Sequence, residues 1–152
     1  ADAPSDVDTF QRLKYSKPDE WSDLKGLYSY KGRVPEATKA DFQTYKKIKA
    51  TGIYGTVRVP AAKIDTSALT LDVAHINERR HGVTQEEAVS YIKNAAFSLK
   101  RRHWTGETFL NYYSEEGASY VRTSDNVIRT SFKKDEFDKK TKSAMEVLKN
   151  GE

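Results

Sequence analysis

The sequence predicts an α+β domain: N-terminal helices, then a mostly antiparallel, twisted sheet of four to five strands, with one helix inserted after a histidine-bearing loop. Three observations predict it. Apolar residues switch along the chain from helical spacing to alternation and back. Turn residues such as Gly52, Pro60, Gly117 and Asp125-Asn126 fall between those segments. The string Thr84-Gln85-Glu86-Glu87 is a capping box, so a helix begins there rather than a strand.

The elements follow in order. Residues 1–35 are turn-rich, with Pro4, Pro18, Gly26, Gly32 and Pro35. They read as an irregular lead-in with a short helix over residues 7–14, ahead of a single domain over residues 36–152. Residues 36–50 read as a helix that stops before Gly52. Ile53, Gly55, Val57 and Val59 alternate with Tyr54, Thr56 and Arg58, giving a strand that ends at Pro60. Leu69, Leu71 and Val73 alternate in turn, and the same period puts His75 on their face at the strand end.

Ala88, Ile92, Ala95, Ala96 and Leu99 then share a helical face. This spacing predicts a helix running from Thr84 to Arg102. Its last turn would be Lys100-Arg101-Arg102-His103, cations at the negative end of the dipole. Two hairpins follow, with strands over residues 107–113, 119–123 and 127–132, turning at residues 114–117 and 124–126. The final helix carries Phe137, Thr141, Ala144, Met145 and Leu148 on one face.

Composition narrows the chemistry. The chain has 152 residues, 37% hydrophobic and 32% charged, with 9 Tyr, 6 Phe and 2 Trp. That aromatic content is enough for a core, so the polarity does not signal disorder. With no Cys, disulfides, thiolate catalysis and cysteine zinc sites are all excluded. No run approaches the ~20 apolar residues of a membrane helix, and the start Ala1-Asp2-Ala3-Pro4 is not a signal peptide, so no membrane anchor is expected in this chain. The net charge of +4 is uneven. Residues 39–63 carry six basic side chains against one acidic, and residues 75–104 carry six against three. Basic segments favour an anionic partner, though a solvated lysine-rich surface would look the same.

The chemistry concentrates in one place. His75, His81 and His103, all the histidines of the chain, lie within 29 residues, together with Arg79, Arg80, Lys100, Arg101 and Arg102. Imidazole exchanges protons near neutral pH, and guanidinium grips phosphate with two hydrogen bonds. The loop 75–82 leaves a strand and precedes a capped helix, where polar side chains can converge on a cleft. RNA cleavage by internal attack needs a base for the ribose 2′-hydroxyl, an acid for the leaving 5′-oxygen and a cation for the phosphorane. His75, His81 and Arg80 are those three types. His75 equally suits the end of an apolar strand face.

No metal and no cofactor is expected. The histidines lack the i, i+4 spacing of a helical zinc pair, and G-x-S-x-G, G-x-G-x-x-G and P-loop strings are absent. Arg101-Arg102-His103-Trp104 reads as a patch for phosphate and base stacking, or as a solvated helix end. Tyr112, Tyr120, Arg122 and Arg129 read as substrate contacts on an exposed sheet face, or as an ordinary polar face.

Three strings carry a resemblance: Leu71-Asp72-Val73-Ala74-His75-Ile76, then Arg80-His81-Gly82-Val83-Thr84, then Glu87-Ala88. They resemble the phage-associated branch of the barnase–EndoU–colicin–RelE-like (BECR) nucleases, over residues 50–135. The resemblance implies a metal-independent endoribonuclease toxin that leaves a 2′,3′-cyclic phosphate. It implies catalytic roles for His75, Arg80, His81 and the Thr130-Ser131 pair; the neighbouring cations Arg79, Arg101, Arg102 and His103 are read from the basic cluster itself as substrate-binding. RNA, including tRNA, is the implied substrate, and an acidic immunity protein the implied partner. The parent would be a phage head protein or a secreted toxin, acting in the cytoplasm of a bacterial target. Two rivals stand. An ADP-ribosyltransferase toxin often carries an E-x-E pair, which is absent here. A non-catalytic nucleic-acid-binding or capsid-associated module needs the basic patches alone.

Overall fold

The computed structural model describes residues 39–72 and 82–149, together with Tyr15. In chain order the elements are helix α1 (Lys39–Ala50), strands β1 (Thr56–Arg58) and β2 (Thr70–Leu71), helix α2 (Gln85–Lys93), strands β3 (Phe97–Arg102), β4 (Thr108–Tyr113), β5 (Gly117–Arg122) and β6 (Val127–Lys133), and helix α3 (Lys139–Lys149). The fold is α+β. The sheet has six strands in the order β1-β3-β4-β5-β6-β2, one more than the upper bound expected. It is mixed: β2 lies parallel to β6, and every other pairing is antiparallel.

The largest correction concerns residues 94–102. Helix α2 starts as expected, with Thr84 Oγ1 accepting from Glu87 N–H and the Glu87 carboxylate accepting from Thr84 N–H. The Thr84 backbone N–H on that carboxylate, with the Thr84 side chain beside it, holds the Glu87 carboxyl below its ordinary pKa. The helix then ends at Lys93, with Asn94 as its cap. Residues 97–102 are a strand, not the end of that helix. Six consecutive residue pairs tie it to β4, from Phe97 opposite Tyr113 to Arg102 opposite Thr108. Three more tie it to β1. A helix through this stretch would leave the facing edges of β1 and β4 with unpaired backbone groups, which outweighs the weak helical signal of two alanines. Lys100, Arg101 and Arg102 therefore sit on a strand and face no helix dipole.

Helices cover part of each face of the sheet. On one, α1 and α3 pack over β1, β3 and β5 through Tyr45, Ile48, Ala144, Met145 and Leu148. Phe97 stacks on Tyr113 at 5.2 Å between centroids, and Tyr120, Phe132 and Phe137 continue the cluster edge to face. On the other, α2 lays Ala88, Tyr91 and Ile92 against Tyr112, Val121 and Ile128. Gly117 makes that approach possible, since a Cβ there would lie 2.5 Å from the Tyr91 ring. The segment after β1 also crosses this face. Ala62 accepts a hydrogen bond from Tyr112 OH at 2.8 Å and donates one to Ser98 Oγ at 2.9 Å. Among the described residues no helix is long and apolar enough to cross a membrane. The expected lead-in, residues 1–35, lies outside the described residues except for Tyr15.

Candidate nucleic-acid interface

The His-Arg loop is known here by its two ends. His75, Arg79, Arg80 and His81 lie outside the described residues. On one side Asp72 continues β2: its N–H donates to Ile128 O, and its carboxylate pairs with Arg129 at 3.1 Å. On the other, Val83 is buried under α2 just before the Thr84 cap. The stretch of residues 73–81 thus runs between two anchored points, starting from the β2 edge of the sheet.

The residues expected on an exposed strand face are placed otherwise. Ser131 is fully buried. Its hydroxyl bonds to Ala118 O and to Ser119 Oγ, and Ser119 donates in turn to Ala88 O, fastening sheet to helix. Tyr112 is buried too, and burial pushes its phenol up to about 12. Tyr120 packs among Tyr113 and Phe132 with its hydroxyl 3.0 Å from that of Tyr113, and burial raises its pKa. Thr130 lies half-buried opposite Tyr120. Burial corrects the catalytic role expected of Ser131 and the substrate contact expected of Tyr112, while Thr130 and Tyr120 are half-buried.

Arg122 and Arg129 are held by carboxylates. Arg122 makes two hydrogen bonds to Asp125, at 3.0 and 2.8 Å, and one to Glu107 at 3.3 Å. That clamp joins two turns, and its hydrogen bonds lower the Asp125 pKa. A bulge explains Arg129. The register shifts between Tyr120 and Val121, so Arg129 is the extra residue on β6 and leaves the expected alternation to meet Asp72.

Cations and aromatics instead converge at the far end of β3. Arg101 lies over the Tyr54 ring, 5.2 Å from its centroid. Gly55, at φ +119°, admits that crossing, because a Cβ there would lie 2.8 Å from Arg101 Cγ. Arg102 and His103 are exposed, and Trp104 is 89% exposed at the hairpin tip. His103 is held by its backbone bond to Glu107 O and by Nδ1, 3.0 Å from Thr105 Oγ1. Thr105 donates onward to Glu107 Oε1 at 3.0 Å. These bonds engage Nδ1 and not Nε2. The tip is therefore ordered without burying its indole. Exposed rings beside fixed cations can stack unpaired bases and meet phosphates.

Below the tip, on the face carrying α2, lies a groove of about 500 Å³. Thr56, Arg58, Ser98, Lys100 and Thr108 line it from three strands, and Ala62 and Lys63 close one side. Sequence reasoning missed Tyr54, Arg58 and Lys63 as site residues. The signal was the basic excess of residues 39–63; what alternation could not give was the crossing segment that folds Lys63 back over β3. No family model matches the chain, and neither does a curated protein or a solved structure.

Proposed function

We propose that this chain is a metal-independent endoribonuclease domain that cleaves RNA by 2′-oxygen attack, with His75 and His81 as its acid-base pair and Arg80 as the cation for the phosphorane. The observation that carries the reading is the exposed end of β3, where Tyr54, Arg101, Arg102, His103 and Trp104 offer rings and cations together. Such a surface suits single-stranded RNA, whose unpaired bases stack on rings while its phosphates meet cations. The sequence adds the acid-base groups, all within one short loop with anchored ends. The resemblance to toxin nucleases adds an acidic immunity protein as partner. Such a protein would be drawn to this surface by the same charges.

The two histidines test the reading. One must act deprotonated and the other protonated, so the rate should rise and then fall with pH. His75→Ala and His81→Ala should each slow cleavage by about 10²–10⁴-fold. The double variant should lose less than the product of the two, because groups acting as a unit are not additive. Full activity in a folded His81→Ala protein removes the pair. RNA bound but never cleaved leaves the non-catalytic module as the function, and transfer of ADP-ribose from NAD to a target would replace both.

A further inference from the structure

We propose that the β3–β4 tip is a site for one unpaired ribonucleotide, in which Trp104 stacks the base and His103 Nε2 accepts the ribose 2′-hydroxyl. It rests on the RNA reading above and deepens it, by naming the group that tells RNA from DNA.

His103 is fixed in one protonation pattern. Thr105 has a single hydroxyl proton, and that proton goes to Glu107 Oε1 at 3.0 Å. The Thr105 oxygen then accepts from His103 Nδ1, also at 3.0 Å. With Nδ1 unprotonated, the ring and the carboxylate would compete for that one hydroxyl proton. The Thr105 N–H also approaches Nδ1, but at 3.4 Å it is the longer and weaker contact. Glu107 is held in its turn, because Arg122 meets its other oxygen at 3.3 Å while gripping Asp125. A neutral imidazole with its proton on Nδ1 presents Nε2 as an acceptor, and His103 is exposed.

The surroundings fit one nucleotide. The His103 ring lies 5.3 Å from Trp104, tilted by 38°, and 6.1 Å from Phe109, edge on. Those contacts and the Nδ1 bond set the direction of Nε2. Trp104 is 89% exposed, which leaves its indole open to a base. The bond from His103 N–H to Glu107 O carries the strand ladder one step beyond β3, so alternation puts Arg101 on the side that His103 takes, roughly 7 Å back. Its guanidinium, laid over the Tyr54 ring, is placed to meet a phosphate. A ribose 2′-hydroxyl donates where deoxyribose has only hydrogen. An acceptor beside the sugar therefore adds a hydrogen bond to RNA and none to DNA.

The test is NMR on the full isotope-labelled chain, titrated with adenosine 5′-monophosphate and with its 2′-deoxy form. Neither holds a phosphodiester bond, so binding is read without cleavage. The Trp104 indole N–H and the His103 ring nitrogens report the site. The ribonucleotide should bind about two- to tenfold more tightly, the worth of one hydrogen bond. It should move the Nε2 resonance, which the deoxy form leaves in place. The 2′-O-methyl form keeps the oxygen without its proton and should bind no better than the deoxy form. His103→Phe keeps a ring against Trp104 and Phe109 but removes the acceptor. It should abolish the ribose preference while the deoxy affinity and the melting temperature stay as they were. Equal binding of the two nucleotides by the wild type overturns the site, as does a preference that survives His103→Phe. Shifts that miss Trp104 overturn it too. Cleavage of ordinary RNA is scored separately. A ribose preference without cleavage keeps the tip and removes the nuclease, and cleavage without the preference does the reverse.

Discussion

A serine on a strand looks the same in sequence whether its hydroxyl meets solvent or a neighbouring carbonyl. Ser131 meets Ala118 O and Ser119 Oγ, and Ser119 reaches Ala88 O on α2. Ser131→Ala should therefore lower unfolding stability by about 1 kcal/mol, the size of one buried hydrogen bond, in urea titration. RNA cleavage should not change. A large loss of turnover with full stability would return Ser131 to the site. Trp104→Ala should do the opposite. The ring is 89% exposed, so the melting temperature stays put. Binding of single-stranded RNA should weaken by about 1–3 kcal/mol, the worth of one stacked base. Unchanged binding in that variant would take the hairpin tip out of the interface. At this scale the cations and rings of residues 101–104 were legible as a cluster. The depth of Tyr112, Tyr120 and Ser131 was not, because alternation assigns a face without saying what covers it.

At the scale of elements, patterning worked where local signals were strong. The capping box starts α2 at the expected place, and Thr141, Ala144, Met145 and Leu148 of α3 face the core as their spacing indicates. It failed at residues 97–102, where Ala95, Ala96 and Leu99 continued a helical period that the pairing of β3 with two neighbours overrides. The parallel β2–β6 pair was illegible for a related reason: β2 has two residues and owes its place to distant contacts. Two substitutions test how the elements are joined. Gly117→Ala would put a methyl 2.5 Å from Tyr91 and 2.6 Å from Phe132 O. Overpacking of this kind should cost about 1–3 kcal/mol and loosen α2 from the sheet. A neutral Gly117→Ala would contradict the close approach. Asp138 accepts the Thr141 N–H at 2.8 Å at the start of α3, and that bond lowers its pKa. Asp138→Ala should cost about 1 kcal/mol near neutral pH by loss of the cap. The difference from wild type should vanish as the pH falls through the lowered carboxyl pKa, because the protonated acid caps poorly.

Across the whole molecule, helices cover part of each sheet face, and a groove stays open over β1, β3 and β4 on the face that carries α2. Tyr112, Tyr113 and Tyr120 are neutral core groups whose pKa values are raised by burial. A raised phenol favours the folded state fully below its unfolded pKa of ~10, and that contribution is lost as pH climbs through the folded value. For Tyr112 the window runs from about 10 to about 12. Alkaline unfolding should begin there, with phenolate absorbance appearing as tertiary structure is lost. Free ionisation of all tyrosines near pH ~10 in a folded protein would contradict the packing. Basic and aromatic side chains are exposed at the tip, with His103 and Trp104, and along the groove, with Lys63 and Lys100, and the histidine loop departs from the β2 edge. One experiment addresses what these surfaces are for: purified protein incubated with RNA in excess EDTA, with the product ends read by mass spectrometry. The account predicts cleavage at the same rate as without chelator, leaving 2′,3′-cyclic phosphates. Cleavage that stops on chelation and returns with magnesium or zinc, or products ending in 5′-phosphate, would contradict it.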